Sequence, residues 1–532
     1  MKKITTLLLL FCFQQIAAQQ FSGNLESNSQ YYLSESNFGI EAPQDAFRAN
    51  NYFNLRMDHK QFSVGIQYEA YLPNGPLLGY SPSLNGNEIA TYFAKYKNDL
   101  LEVTAGYFFE EFGNGLALRS WEERQLGLNN ALKGIRVKSR VFSAIDLTAL
   151  FAKQRVGFET SEGSIQALDL NYDKNSWNLG ASLVSRYTPN TNPDPDYPSY
   201  VTIYSARLGY SGAKWSIDGE YLFKSQDVRI VQGQEVPGNY FTGNALQIDF
   251  NYAAKRWAFN TQFRRLENFG FYADRDAYLN QYNEQVINYT PALTKQQDYT
   301  LMNIYVYQAQ PFLILEESKS GEIGGQIDFY YRFKKDSWLG KRKTKLAFNA
   351  SYWTKLDAEY DVAANEYSSE YLGFGEKLYR DYSVEMRNRW SKSWSSIVTY
   401  LDQFYNKGAV EGGSAEVYAR TIAIEATKRM SKGKSLKLDV QHLWTEEDLG
   451  NWAAAGAEFY FNRSFSIYVN DMYNYGEGDS GHFLNSGLTY THKSSRVSLA
   501  YGRQRGGLIC VGGVCRFVPE NYGFSLNFNT SF

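Results

Sequence analysis

The sequence predicts a single large, antiparallel, all-β transmembrane barrel of about 24 strands, within a range of about 18 to 26. Three observations predict it. Apolar and polar side chains alternate with a period of two along most of the chain, and 17% of the 532 residues are aromatic. Short cationic turns also alternate with long polar connections. Neighbouring side chains on a strand point to opposite faces, so each alternating segment has one apolar and one polar face. A soluble sandwich has no reason to place its long and short connections at opposite ends. An outer-membrane barrel does, because it carries short periplasmic turns, long external loops and aromatic girdles at both interfaces.

The N-terminus comes first. Lys2 and Lys3 precede an apolar stretch, 4–16, broken only by Gln14 and Gln15, and Ala17 and Ala18 stand before Gln19. That is the pattern of a secretory signal peptide, assigned to residues 1–18. Residues 19–532 then form one barrel. Cys12 leaves with the leader, and Cys510 and Cys515 remain. An even pair in an exported chain predicts a disulfide, here closing a small Gly-rich loop. A metal site would need further ligands nearby, and none is visible.

The strands follow. Trp215, Ile217, Gly219, Tyr221 and Phe223 have Ser216, Asp218 and Glu220 between them. Leu246, Ile248, Phe250 and Tyr252 repeat the pattern, as do Leu346, Phe348, Ala350 and Tyr352. Short cationic turns lie near Lys97-Asn98-Asp99, Lys174-Asn175-Ser176, Lys255-Arg256, residues 335–343, Ser391-Lys392-Ser393 and Lys432-Gly433-Lys434. Trp177, Trp257 and Trp394 follow three of them at once. Longer polar connections are expected at 110–130, 190–198 and 357–370. Counting hairpins from both ends puts Lys255-Arg256 and 335–343 on the same side. Residues 299–315 between them are therefore either a folded part of an external loop or an additional hairpin.

The final strand places Tyr522, Phe524, Leu526, Phe528, Thr530 and Phe532 on one face. A terminal aromatic on such a strand resembles the insertion signal of bacterial outer-membrane barrels, which implies the barrel-assembly machinery as a partner.

Chemistry is sparse. A net charge of −2 argues against nucleic acid. No H-E-x-x-H pair, G-x-S-x-G elbow or phosphate loop is present, so no enzyme activity, cofactor or metal is expected. His482, beside Ser480 and Asp479, is read as part of a polar external loop. The acidic runs at Glu477-Gly-Asp479 and 192–196 are read as solvated acids, since neither has ordered calcium-ligand spacing.

Asp218, Glu220, Asp249, Asp328, Arg332, Lys345, Lys437 and Asp439 lie on the polar faces. In a membrane barrel that face is the lumen. A barrel of this size is too wide for its own side chains to fill, so water or an inserted loop occupies it. Two segments are candidates to fold inward or to cap the outer surface. One is 112–131, with Arg119, Glu122, Glu123 and Arg124 as constricting residues. The other is the Tyr-rich stretch 269–297. No separate plug domain is expected, because strand patterns begin close to the mature start.

Leu25-Glu-Ser-Asn-Ser-Gln-Tyr, Arg119-Ser-Trp-Glu-Glu-Arg-Gln-Leu-Gly and Cys510-Val-Gly-Gly-Val-Cys-Arg-Phe-Val-Pro together resemble an uncharacterised, porin-like family of bacterial outer-membrane barrels, a domain of unknown function. The resemblance covers essentially the whole mature chain. It implies the fold and the outer-membrane location, and brings no substrate or catalytic residues. The expected function is a passive or loop-constricted channel for polar solutes. The alternative is a structural or partner subunit of an outer-membrane assembly for secretion, barrel insertion or adhesion. Outer-membrane lipid is a partner in either case, and the alternative adds an outer-membrane or periplasmic protein.

Overall fold

The computed structural model describes residues 20–532 apart from 142–143, 191 and 477–480. The expected leader at 1–18 and the positions Glu477, Asp479 and Ser480 lie outside the described residues. Twenty-four antiparallel strands, from Gln20–Tyr32 to Asn521–Ser531, close into one barrel. A further two-residue strand, Gly481–His482, pairs at the end of Phe465–Asn474.

Closure is made by the first and last strands. Asn24 lies opposite Ser531 and Tyr32 opposite Gly523. Beyond them, Gly23 and Phe532 exchange backbone hydrogen bonds of 3.1 and 3.0 Å. The exchange leaves no open edge, which lipid would require because it offers no hydrogen bonds.

Connections sort by length. At the end that carries both described termini they are tight, such as 60–61, 175–176 and 493–494, and the longest is 333–344. The opposite end carries 33–46, 109–131, 188–199, 268–320 and 505–520. The cationic turns all fall at the first end. Tryptophans pack beside them, with Trp177 edge-on to Tyr210 at 4.9 Å and Trp257 stacked on Tyr252 at 4.6 Å.

One expected connection is mostly strand. Residues 357–370 form the facing ends of Lys345–Asp361 and Glu366–Arg389, joined by a turn at 362–365. Stacking of Tyr360 on Tyr367, directly opposite each other, holds this extension together. The alternative left open for 299–315 is settled too. Trp257–Glu267 pairs directly with Gly321–Arg332, so the segment is a folded part of the external connection 268–320.

The alternation sets two environments. Tyr221 and Phe223 are exposed on the outer face, whereas Glu220 and Leu222 between them are buried inside. Ile248 faces out at 37% exposure. Its neighbour Asp249 accepts hydrogen bonds from Gln262 and Gln247 on the inner face.

Candidate functional site in the barrel lumen

The inner face changes character along the barrel axis. In the half near the tight turns it is polar, with Asp169, Asn178, Arg207, Asp218, Gln247 and Gln262. Towards the long connections the inward positions become apolar: Ile165, Val184, Val201, Ile203, Leu222, Ala245 and Leu266, all nearly inaccessible. An apolar lumen wall is unfavourable against water, and here it is covered. Leu116, Ala117 and Leu118 of connection 109–131, with Phe269, Phe271, Ala273 and Ile287 of connection 268–320, complete one buried cluster with these wall residues. Both segments fold inward. Each buried Leu, Ile or Phe contributes about 1.5–3 kcal/mol to holding them there.

Irregular backbone inside a barrel must find hydrogen-bond partners. The two inserts satisfy each other in part: Arg119 N–H donates to Ile287 O and Tyr289 N–H to Gly115 O, both at 2.9 Å. The wall supplies more. Gln154 Nε2 donates to Val286 O at 2.7 Å, Lys224 Nζ to Gly270 O at 3.0 Å, and an Arg186 terminal nitrogen to Tyr272 O at 3.0 Å. The first insert reaches across to the strands Tyr200–Ser211 and Trp215–Val231, where Asn114 N–H donates to Glu220 Oε2 at 3.1 Å. Gly113 has φ +55, and a Cβ there would lie 2.7 Å from Arg207 Cδ and 2.8 Å from Glu220 Oε1. Both facts favour glycine at this point.

Three of the four expected constricting residues act as anchors. Glu122 accepts from Gln67 Nε2 at 2.7 Å. Arg124 bridges Glu122 and Glu26, at 3.2 and 2.7 Å, and lies 4.4 Å over the Tyr52 ring. Arg119 stacks on Tyr289 of the second insert at 3.9 Å, with Glu111 at 3.6 Å. Glu123 stands apart, accepting only from Gln125 N–H at 3.0 Å within its own turn. Behind the anchors, Arg155 binds both oxygens of Glu69 at 2.9 and 2.6 Å, each side chain 1% exposed.

The second insert continues to the far wall. Leu301 N–H donates to Gln441 Oε1 at 3.0 Å, and Gln403 Nε2 to Tyr305 O at 3.2 Å. Tyr307 stacks on Trp353 and Tyr379 at 6.0 and 5.3 Å. Glu322, itself paired with Arg264 at 2.7 Å, accepts from Gln310 N–H and from the Tyr307 hydroxyl. Burial pushes the Tyr305 and Tyr307 hydroxyls above the ordinary phenol range, so both stay protonated donors at neutral pH.

Connection 505–520 is the third filling element. Cys510 and Cys515 are bonded across the hairpin of Gly507–Val511 and Val514–Val518. Asn283 Nδ2 donates to Cys515 O at 2.8 Å, Ala292 N–H to Gly513 O at 2.9 Å, and Arg516 Nε to Gln125 O at 2.8 Å. The hairpin therefore touches both inserts.

The filling leaves gaps at more than one place on the wall. Between residues 292–307, the hairpin and the strands Phe465–Asn474, Asn485–His492 and Ser495–Gln504 lies a cavity of about 540 Å³. A second cavity of about 540 Å³ lies by Gly113 and Asn114 against the polar inner wall, beside Asn178, Asp218 and Asp249.

The histidines lie elsewhere. His482 bonds Asp471 at 2.6 Å and stacks on Tyr473, with its side chain 60% exposed. His442 packs on Trp444.

Whole-chain likeness bears on this architecture. A family model described as a family of unknown function, DUF6029, matches residues 1–532. The chain belongs to DUF6029. No curated protein sequence matches this member of the family. Among solved structures it is similar to the translocation pore of the P pilus usher PapC, with 9% identity, a TM-score of 0.45, and coverage of 96% of this chain and 98% of that one. It is also similar to the siderophore receptor PirA from Pseudomonas aeruginosa, with 8% identity, a TM-score of 0.42, and coverage of 96% and 80%. OpdK from Pseudomonas aeruginosa, solved with vanillate, matches at 10% identity and a TM-score of 0.39 over 80% and 98%. The barrel of the DUF6029 chain is established by its own strand pairing. Its closed wall and outward apolar rows place it in the bacterial outer membrane.

Proposed function

We propose that this DUF6029 protein is a channel for small polar solutes, constricted by its own external connections. The observation that carries the reading is the cavity of about 540 Å³ that the inserts leave against the wall. Its lining includes the amides of Gln297, Asn303, Gln403, Asn470, Asn485 and Gln504, groups that exchange hydrogen bonds with passing water and solute. Arg119, Glu122 and Arg124 hold the constriction by fixing the first insert to wall and neighbour. In this reading residues 1–18 direct export, and the aromatic face ending in Phe532 is the signal for membrane assembly.

The deciding experiment is conductance of the purified, refolded protein in a planar bilayer. Small discrete steps that grow when 112–131 is replaced by a short Gly-Ser linker support the channel. A silent membrane with verified insertion refutes it and leaves the reading as a subunit of an outer-membrane assembly, for which cross-linking in native membranes would identify the partner.

A further inference from the structure

We propose that the cavity beside Phe465–Asn474, Asn485–His492 and Ser495–Gln504 binds small carboxylates, so that the solutes of the proposed channel are organic anions; the second clause rests on the channel reading. Among the described residues the cavity lining contains Lys295, Arg503 and Arg505, and no aspartate or glutamate. Arg503 is already engaged, bound to Glu520 and stacked between Phe38 and Phe483 at 3.8 and 4.1 Å. Lys295 and Arg505 have no ion-pair partner among the described residues. Of the carboxylates behind the lining tyrosines, Glu322 is paired with Arg264 and Asp448 with Lys407, whereas Asp381 is held by the neutral hydroxyls of Ser351 and Tyr379 and its charge reaches Lys295.

Arg505, with no carboxylate in contact among the described residues, and Lys295, only partly offset by the more distant Asp381, favour an anionic occupant, because Coulomb attraction in a partly enclosed cavity is stronger than in bulk water. Neutral donors add to this. Gln297, Asn303, Asn470, Asn485 and Gln504 bring neutral amide groups to the lining, which can donate to a carboxylate oxygen. The guanidinium fork of Arg505 matches a planar carboxylate in geometry as well as charge. Size points the same way. About 540 Å³ falls in the range of small-molecule sites and exceeds what a halide needs, and Met302, Met472 and Phe483 supply apolar surface for a carbon skeleton.

The test is calorimetric titration of the refolded full-length protein with three isosteric probes: benzoate, benzamide and benzylamine. Benzoate is expected to bind, with benzamide about tenfold weaker and benzylamine undetected. Arg505→Gln and Lys295→Gln should each weaken benzoate by about tenfold while leaving heat-modifiable migration intact. Lys335→Gln, in a turn at the opposite end of the barrel, should change nothing. Equal binding of benzoate and benzamide, no binding of benzoate, or indifference to both lining substitutions would overturn the site. The bilayer measurement separates the two claims. Benzoate binding by a silent barrel keeps the site and removes the channel, whereas conductance without benzoate recognition keeps the channel and removes the site.

Discussion

The inserts meet two regions of the wall on different terms. Against the strands from Glu159–Lys174 to Trp257–Glu267 the contact is dry, built from Phe269, Phe271 and Ile287 on Ile165, Val184 and Leu222. Buried cations reach across it to insert carbonyls. Against the strands from Phe465–Asn474 to Ser495–Gln504 a polar cavity intervenes. The difference teaches that filling a barrel and closing it are separate tasks. Apolar contact and paired charges fix the inserts on one side, where a cavity remains only beside Gly113 and Asn114 against the polar part of the wall, and an amide-lined gap separates inserts from wall on the other. A wall of uniform character would have produced either a sealed plug or an unfastened loop.

The largest expected effect comes from removing the closed wall on which both regions depend. Phe532→Asp places a charge at the seam with Gly23 and should abolish assembly. Normal levels of heat-modifiable protein in the outer membrane would refute this. Next is Glu69→Ala beside the fixed insert, which leaves Arg155 buried and unpaired at a cost of about 3–5 kcal/mol. Glu520→Ala, beside the cavity, removes a partner that is 32% exposed from an arginine that keeps its bond to His482 O and its aromatic stack, and should cost less, about 1–3 kcal/mol. Equal losses in denaturant unfolding would erase the contrast between the two sides.

Ile248→Lys tests the wall of the dry side. It should cost about 2–4 kcal/mol if the residue lies near the bilayer midplane, whereas Asp249→Lys should be tolerated. Similar unfolding midpoints for the two variants would contradict the assignment of faces. Gly113→Val tests the tip of the first insert. The added side chain collides with Arg207 and Glu220, costing about 1–3 kcal/mol, and should loosen the insert tip enough to raise conductance. An unchanged conductance with the same loss of stability would show that the tip does not narrow the path.

Much of this was legible in the sequence. Period-two alternation, cationic turns and the rim tryptophans pointed to the barrel, and its length and hairpin parity to about 24 strands, because lipid and water impose opposite demands on adjacent residues. The strand extension at 357–370 was not legible. Above the membrane both faces of a hairpin meet water, so Asp357, Glu359, Glu366 and Glu370 look like a loop although they pair. The direction of the inserts was left open, yet a signal existed. Val201, Ile203, Leu222 and Leu266 are apolar residues at inward positions where the rest of the strand is polar. Such residues in a wide barrel call for a cover. The cavity could not be read at all, since Lys295 and Arg505 are 210 positions apart and meet only through the fold.

The disulfide hairpin carries a consequence for timing. It belongs to the last external connection, immediately before the strand that ends at Phe532, and it rests on segments from the first quarter and the middle of the chain. Its contacts form only after nearly all of the polypeptide has been delivered. During biogenesis the lumen is thus less filled than in the finished molecule, and the final strand latches the interior as it shuts the cylinder.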